Sequence, residues 1–379
     1  MRFPEFTEPW ERYKVSDILD FYSTNSLSWE QLEFTDGELR NLHYGMIHVG
    51  LPTLLNMKES KLPTIKDGNE PKSYTLCING DVAFADASED TNDVARAIEL
   101  VETDGQKVVF GLHTIHGRDN KGLTEVGFKG YLFSSRVFHD QIKRIAQGTK
   151  VFSISNKNFS ECFVGIPSKA EQTKIARLLS LLDRRIAVQS KLIEDLQQLK
   201  SAISTMIFSN LNYEIVKLGD ICSITTGKLD ANAMVDNGVY PFFTCAEQIY
   251  KIDTYSFDSE ALLISGNGAN VGYIHYYKGK FNAYQRTYVL SDFQVNIIYV
   301  KYFLDKYLHN RIEQEKNTGN TPYILMSTLS EMKINIPKSE QQNKIIEILT
   351  SISNKIEIEQ QLLIRINLQK QYLLKVMFT

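Results

Sequence analysis

Cysteine is scarce in this chain of 379 residues, which contains only Cys77, Cys162, Cys222 and Cys245. They are scattered and no two form a Cys-x-x-Cys pair, so we interpret them as reduced thiols and expect a cytoplasmic location. The chain lacks a run of about 18 apolar residues, which argues against a membrane-spanning helix. Its first residues also lack the apolar stretch that signal peptides contain.

The chain has no excess of positive charge either. It carries 42 Lys and Arg against 45 Asp and Glu, a formal net charge of −3. A protein that binds nucleic acid by itself usually presents a basic face, because neutralising phosphates supplies much of the affinity. The composition therefore excludes a generic polyanion binder. If the chain binds DNA, its positive potential is local or a partner supplies the charge.

Enzyme motifs are missing as well. Gly266-x-Gly268-x-x-x-Gly272 departs from the dinucleotide-binding fingerprint by one residue, and Gly227-Lys228 is followed by leucine rather than by the hydroxyl of a phosphate-binding loop. Glu70 and Lys72 have a nuclease-like spacing but flank a proline. No Asn-Pro-Pro or Asp-Pro-Pro run followed by an aromatic residue is present, which argues against an amino-methyltransferase. We interpret these partial matches as chance and predict a non-catalytic chain.

What the sequence does contain is an internal repeat. Ile166-Pro167 begins a segment whose pattern recurs 170 residues later from Ile336-Pro337. A repeat of this length says more about the fold than any local motif, because it fixes the architecture of the chain. The matching positions include Glu171-Gln172-x-Lys174-Ile175 and Gln341-Gln342-x-Lys344-Ile345, then Leu179 and Leu349, Ile186 and Ile356, Lys200 and Lys370, and Phe208 and Phe378.

Each repeated segment predicts a long helix with a proline just ahead of it. Apolar residues alternate at spacings of four and three over about five heptads, which is typical of a coiled coil. The pattern is broken at Gln189 and Lys200 in the first helix and at Glu359 and Lys370 in the second. An antiparallel pairing with Lys200 opposite Glu359 also sets Gln189 opposite Lys370, so these breaks would fix the register. The alternative is that they are edge positions that pack elsewhere.

The segments before the two helices predict domains of similar α+β fold. In the first domain we expect strands near 75–77, 82–84, 107–112 and 162–166, with a helix over 128–146. In the second we expect strands at 240–244, 261–265, 272–277, 287–290 and 332–336, with a helix over about 296–316. The predicted organisation is therefore domain 1 (1–165), helical spacer 1 (166–212), domain 2 (213–335) and helical spacer 2 (336–379).

Over its whole length the chain resembles the specificity (S) subunit of Type I restriction–modification systems. The two Ile-Pro motifs carry the resemblance, with support from Leu218-Gly219-Asp220-Ile221 and from Asn41-Leu42-His43-Tyr44-Gly45. The second motif has Gln341 where the family usually has glutamate. The resemblance implies two target recognition domains of similar α+β fold, separated by two long helices that pair as an antiparallel coiled coil in a pseudo-two-fold repeat.

The resemblance also implies a function and partners. Each recognition domain would read one half of a bipartite site in double-stranded DNA. The helices would set the spacer and dock two methyltransferase (M) subunits, which would carry S-adenosylmethionine, and restriction (R) subunits would join them. The chain itself would bind no cofactor and no metal. The alternatives are a coiled-coil protein adaptor without base reading, and a self-contained methylating or cleaving enzyme.

Base reading needs Arg, Lys, Asn, Gln and small hydroxyls on loops. In the second domain three loops supply them, although Asn-Gly loops are often plain turns. The candidate DNA-binding residues there are Ser265, Gly266, Asn267, Asn270, Gln285, Arg286, Tyr288, Thr318 and Asn320.

In the first domain the candidates are fewer and more dispersed. Asp86-Ala87-Ser88 precedes a group of histidines and basic residues. His113-x-x-His116 has the spacing of a metal pair, but a loop or core role for both histidines fits the absence of further ligands nearby. The same interpretation applies to His43 and His48. The candidate DNA-binding residues are Ser88, His113, His116, Arg118, Lys121 and Lys150.

Overall fold

The computed structural model describes residues 2–209, 213–315 and 323–378. The chain forms two compact units, and the first of them combines residues from both ends of the chain. The first unit is Met1–Ser190 with Gln361–Thr379, and the second is Lys191–Gln360. Each unit therefore contains one globular domain, part of the helix that follows it and part of the helix from the other domain.

The elements of the first domain precede a long helix that both units share. In chain order they are β1 (Glu11–Lys14), α1 (Val15–Ile18), β2 (Asp20–Tyr22), β3 (Leu32–Glu33), β4 (Leu39–Leu42), α2 (Tyr44–Val49), β5 (Leu54–Asn56), β6 (Thr64–Ile65), β7 (Val82–Ala85), β8 (Ala87–Ser88), β9 (Ala97–Glu102), β10 (Lys107–Phe110), β11 (Thr114–Arg118), α3 (Lys129–Phe133), α4 (Arg136–Ile145), β12 (Phe152–Ser153), α5 (Asn156–Ser160), β13 (Phe163–Ile166) and α6 (Lys169–Ser209).

The second domain follows the same plan and ends in the second long helix. Its elements are β14 (Glu214–Lys217), α7 (Leu218–Ile221), β15 (Ser223–Thr226), β16 (Tyr240–Phe243), β17 (Tyr250–Ile252), β18 (Phe257–Ser265), β19 (Ile274–Ala283), β20 (Thr287–Ser291), α8 (Ile297–Glu315), α9 (Met326–Ser330), β21 (Lys333–Ile336) and α10 (Ser339–Val376).

The two domains share a four-stranded antiparallel core. In the first domain its order is β2-β11-β7-β9, with β5 added at one edge, and in the second it is β15-β20-β18-β19, with β16 and β17 added. Each domain also closes its entry strand onto the strand before its long helix, as β1 with β13 and β14 with β21. The first domain adds a second sheet of order β10-β4-β6-β3. The predicted α+β repeat is therefore present, with an insertion in the first domain.

Two local predictions differ from the structure. Residues 75–77 form no strand, although the Cys77 amide donates a hydrogen bond to the Val108 carbonyl. The helix predicted over 128–146 is split into α3 and α4. Ser134 donates to the Gly130 carbonyl, and Ser135 caps the next helix by accepting from the Phe138 amide. These serines compete with the helical hydrogen bonds and end α3.

The long helices run antiparallel, as each unit shows separately. In the first unit, Ile175 and Leu179 near the start of α6 share a core with Leu373 and Met377 near the end of α10. In the second unit, Phe208 at the end of α6 shares a core with Ile345 and Leu349 at the start of α10. The start of each helix thus packs beside the end of the other. No helix within the described ranges is long and apolar enough to cross a membrane.

The glutamine of each repeated motif fastens its helix to its domain. Gln172 is fully buried; its amide donates to the Pro167 carbonyl at 2.9 Å, and its oxygen accepts from the Glu125 amide at 2.8 Å. Gln342 donates to the Pro337 carbonyl at 2.9 Å and accepts from the Asn296 amide at 3.4 Å. The same bonds in both repeats explain why this glutamine recurs.

The neighbouring position differs between the repeats. Glu171 is buried and forms an ion pair with Arg2, which donates through two nitrogens at 2.8 and 2.6 Å. Gln341 in the second repeat is exposed. A buried carboxylate needs a partner, and the first repeat supplies one from the N-terminal segment.

Candidate nucleic-acid interface

The loops predicted to bind DNA in the second domain meet at one end of its core sheet. Ser265 ends β18 directly opposite Thr287, which begins β20. Just beyond this pair, the Gly266 amide donates to the Arg286 carbonyl at 2.9 Å. The loop at 266–270 and the turn at 284–286 are therefore neighbours. We call the end of the sheet that carries them the second edge.

Two further loops reach the second edge, and neither was identified from the sequence as DNA-binding. The Leu229 carbonyl accepts from the Gln285 amide at 2.8 Å, which brings Lys228 to this edge. The Cys245 thiol donates to the Arg286 carbonyl at 3.4 Å, and the Cys245 carbonyl accepts from the Asn270 side-chain amide at 3.3 Å. From the sequence, Gly227-Lys228 was recognised only as an incomplete phosphate-binding motif. Its place at the second edge depends on strand pairing, which the local sequence does not reveal.

Gly266 is required by the close approach of these loops. A Cβ atom there would lie 2.3 Å from the Arg286 carbonyl oxygen and 2.9 Å from the Tyr288 ring. Real Cβ atoms do not approach other atoms this closely, so the site accepts only glycine. The space that the missing side chain of Gly266 leaves is thus filled by the protein's own backbone and by the Tyr288 ring.

The side chains of the second edge fall into three groups. Gln285 and Arg286 are exposed, and Asn267 and Asn270 are half-buried. Ser265 and Tyr288 are buried, and the Tyr288 hydroxyl donates to the Ile324 carbonyl at 2.9 Å. The expectation that these two contact DNA is therefore corrected, because they belong to the domain interior. Thr318 and Asn320 lie outside the described residues.

The first domain has an equivalent edge. Thr114 begins β11 opposite Ala85, which ends β7. Just beyond them, the Asp86 amide donates to the His113 carbonyl at 3.1 Å, as the Gly266 amide does to Arg286. We call this end of the sheet the first edge. His113 and Arg286 thus occupy the same structural position in the two domains.

His113 is held by two side chains of the first domain, Asp86 and Tyr44. Its backbone is left-handed, with φ 55°. Its Nδ1 lies 3.2 Å from an Asp86 carboxylate oxygen, and its ring lies nearly perpendicular to that of Tyr44, with centroids 5.1 Å apart. The aromatic contacts continue from Tyr44 to the buried His43 and from there to Trp29, which is exposed. Nearly half of the His113 side chain remains exposed, at 49%.

Ser88 and Lys150 lie close to the first edge. Ser88 is half-buried in β8, where it pairs with Phe152 of β12. Lys150 is exposed in the loop just before β12. Lys121, in contrast, lies beyond the opposite end of β11, where its ammonium donates to the Asp17 carbonyl at 2.7 Å. The structure therefore groups Ser88 and Lys150 with His113 and leaves Lys121 apart.

His116 has a structural role, which corrects its assignment as a DNA contact, and the half-buried Arg118 belongs to the same network. His116 is 1% exposed, and its Nε2 lies 2.8 Å from Asp81. Arg118 donates to both Asp81 oxygens at 2.8 and 2.7 Å. Burial acts to raise the pKa of Asp81, but the hydrogen bonds from Arg118 and His116 outweigh it and hold that pKa below the usual value. The network fixes the inner part of the sheet.

A metal is not favoured at this network. Cys77, Asp81 and His116 place potential ligand atoms within 4.8 Å of one another. Burial raises the pKa of Cys77 well above its usual value, which favours the neutral thiol. The Arg118 guanidinium already neutralises the carboxylate and would repel a cation. The pair His113 and His116 also forms no site, because one side chain is exposed and the other is buried.

The four residues predicted to set the coiled-coil register are half-buried or buried. Gln189 and Glu359 are 8% and 6% exposed. Lys370 forms an ion pair with Asp183, and Lys200 lies over the ring of Tyr302. The pairing of Lys200 with Glu359 and of Gln189 with Lys370 stays a prediction.

The outer faces of the long helices carry exposed apolar side chains. In the first unit these are Leu181, Val188, Ile364, Leu368 and Tyr372, and in the second they are Leu192, Leu199, Met206, Ile348 and Ile358. Exposed apolar residues at helical spacing on a coiled coil are typical of a surface that receives further helices.

Comparison with known proteins identifies the family. The family model described as "Type I restriction modification DNA specificity domain" matches residues 79–198 and 210–368. Over 147 residues the chain is 36% identical to the Type I restriction enzyme EcoDI specificity subunit of Escherichia coli, a match that covers 39% of this chain and 32% of that protein. A putative type I specificity subunit of Mycoplasma genitalium is 24% identical over 279 residues, covering 67% of this chain and 71% of that one.

Solved structures show the same fold. The chain superposes on the crystal structure of a Type-I restriction-modification system S subunit from M. genitalium with a TM-score of 0.66 and 16% identity, covering 100% of this chain and 97% of that one. A chain from a study of complex assembly in the type I restriction–modification system matches with a TM-score of 0.60 and 15% identity, covering 98% and 97%. Because the family model matches both domains and most of the chain, this protein belongs to the family of type I restriction–modification DNA specificity subunits.

Proposed function

We propose that this chain recognises a bipartite DNA sequence on behalf of a type I restriction–modification complex. The observation that carries the proposal is the equivalence of the two edges. The same strand order, register and backbone hydrogen bond present Arg286 in one domain and His113 in the other. One fold that offers two different side chains at one position suits two half-sites of different sequence.

The partners follow from the helices and from the charge. We propose that two methyltransferase subunits dock on the apolar outer faces of α6 and α10 and carry S-adenosylmethionine, and that restriction subunits join them. The chain itself would be non-catalytic. A net charge of −3 fits this division, because the partners would then provide much of the positive surface that encloses DNA.

The helices would determine the distance between the half-sites. Each long helix begins at a domain to which a buried glutamine fastens it, so a change in helix length would be transmitted to the domains. The exposed residues of each edge would enter a groove, and the buried networks behind them would keep the loops rigid.

The test is methylome sequencing of cells that express this chain with its neighbouring methyltransferase. We expect a bipartite N6-methyladenine motif that disappears when this chain is deleted. If a stable complex with the methyltransferase forms but no chain-dependent motif appears, the chain acts as a protein adaptor and the proposal is wrong.

A further inference from the structure

We propose that the residue preceding the β11 and β20 strands, His113 in one domain and Arg286 in the other, is the base-reading position of each half-site. The inference rests on the proposed function and adds a chemical assignment. Arg286 would read a guanine, and His113 would read a base that carries an exocyclic amino group, adenine or cytosine.

The Arg286 backbone is fixed while its side chain is available. Its carbonyl accepts from the Gly266 amide at 2.9 Å and from the Cys245 thiol at 3.4 Å. Its side chain is exposed, and no carboxylate in the described ranges forms an ion pair with it. A guanidinium on a rigid backbone matches the O6 and N7 acceptors of guanine in the major groove, which it can contact through two hydrogen bonds.

His113 offers the opposite chemistry. Asp86 lies beside Nδ1, so a neutral ring carries its proton on that nitrogen and presents Nε2 as an acceptor. An acceptor in the major groove pairs with the amino group of adenine or cytosine. The Tyr44 ring packs against the imidazole, so the free nitrogen is held in place before DNA arrives.

The two edges reach this geometry through different backbones. In the second edge, glycine at 266 makes room for an Arg286 that does not adopt positive φ. In the first edge, Asp86 keeps its side chain and His113 adopts the left-handed conformation instead. This conformation brings steric strain to most non-glycine residues. Position 113 therefore favours histidine, asparagine or aspartate, which tolerate positive φ better than most residues.

The first test exchanges the chemistry at position 286. Arg286→Gln should replace guanine by adenine at one position of one half-site, because glutamine pairs with the adenine edge. Arg286→Lys should keep guanine with weaker methylation. The ratio of methylation at sites with guanine to methylation at sites with adenine should change by roughly 5- to 150-fold. This is the discrimination that one bidentate contact supplies.

Lys228→Gln is the matched control at the same edge. Lys228 is exposed and belongs to the loop that pairs with Gln285. If Lys228 contacts a phosphate, Lys228→Gln would lower methylation of all sites alike without changing the motif. If Arg286→Gln leaves the motif unchanged, or if it and Arg286→Lys lower methylation alike at every base, Arg286 reads no base.

The second test is His113→Gly, which accommodates the left-handed backbone and removes the imidazole. It should relax one base position in the half-site that Arg286 variants leave untouched. A change in the same half-site for both residues, or no change for His113→Gly, overturns the assignment. These outcomes differ from a failure of the proposed function, since in that case the unaltered chain itself would give no bipartite motif.

Discussion

Lys370 lies over the ring of Tyr131, with its ammonium 5.8 Å from the ring centroid. The Tyr131 hydroxyl donates to Asp183 at 2.7 Å, and Lys370 forms an ion pair with the same carboxylate. Burial raises the pKa of Tyr131 above its usual value, so the hydroxyl stays a donor. Three elements of the first unit, α3, α6 and α10, thus meet at one polar contact.

The second unit repeats this contact in part. Lys200, which matches Lys370 in the repeat, lies 5.5 Å from the centroid of the Tyr302 ring. The Tyr302 hydroxyl is 3.0 Å from the Thr350 hydroxyl. The position that matches Asp183 is Ser353, so the second unit lacks this carboxylate. The two lysines that interrupt the heptad pattern therefore pack on tyrosines of the globular domains.

The difference predicts unequal effects of removing the two lysines. Lys370→Met should destabilise the first unit by about 1–3 kcal/mol, because a half-buried Asp183 loses its cation. Lys200→Met should have a smaller effect. Urea denaturation followed by a probe in each unit measures both. Equal losses from the two substitutions would contradict the role given to Asp183.

Lys200 should make the stability of the second unit depend on alkaline pH. Burial lowers the pKa of Lys200, an effect that Asp305 opposes and Lys301 reinforces. The folded state therefore binds fewer protons than the unfolded state as the pH approaches the usual lysine value of 10.5. Folding stability should rise with pH in that window, relative to Lys200→Met, which lacks this proton. Parallel pH profiles for the two proteins would show that the shift is absent.

The buried glutamines predict a second pair of unequal effects. Gln172→Ala removes bonds to Glu125, Pro167 and Leu123, whereas Gln342→Ala removes bonds to Pro337 and Asn296. Leaving buried backbone groups unpaired costs about 1–3 kcal/mol. We expect both substitutions to lower the melting temperature, the first by more. Gln341→Ala, at the exposed neighbouring position, should change little.

A buried ion pair in the first domain can be tested by a double-mutant cycle. Glu99 and Lys129 are 0% and 2% exposed, with 3.2 Å between their charged atoms. Burial raises the pKa of Glu99, and Lys129 and two backbone amides oppose that rise. Lys129→Met should cost about 3–5 kcal/mol because it strands a buried charge. Adding Glu99→Gln should restore much of this loss, and an additive double mutant would refute the coupling.

The spacer prediction concerns the length of both helices. Inserting four residues into both α6 and α10 adds about one turn, roughly 6 Å of helix. If the helices set the distance between the half-sites, the methylated motif should gain one or two base pairs of spacer at about 3.4 Å each. Both half-sites should keep their bases. An unchanged spacer in a protein that still methylates would show that the helices are not the ruler.

The sequence determined the repeat, the helix positions and the α+β plan. Periodic apolar residues and a proline before each helix are local signals, and they gave α6 and α10 to within a few residues. Arg286 and His113 could be named as candidates because they are polar residues on short loops, and their role in DNA binding stays a proposal. Local sequence could not reveal that His116, Tyr288 and Ser265 are interior, because it is the neighbouring strands that bury them.

The tertiary structure decided what long-range pairing controls. Strand register placed His113 and Arg286 at one equivalent position, although the sequences around them share little. It also joined Lys228 and Cys245 to the second edge from loops that are distant in the chain. The Lys370, Tyr131 and Asp183 contact joins residues far apart in sequence. Periodicity predicts which face of a helix is apolar. Only packing decides which side chain is contacted by a polar residue that interrupts the apolar pattern.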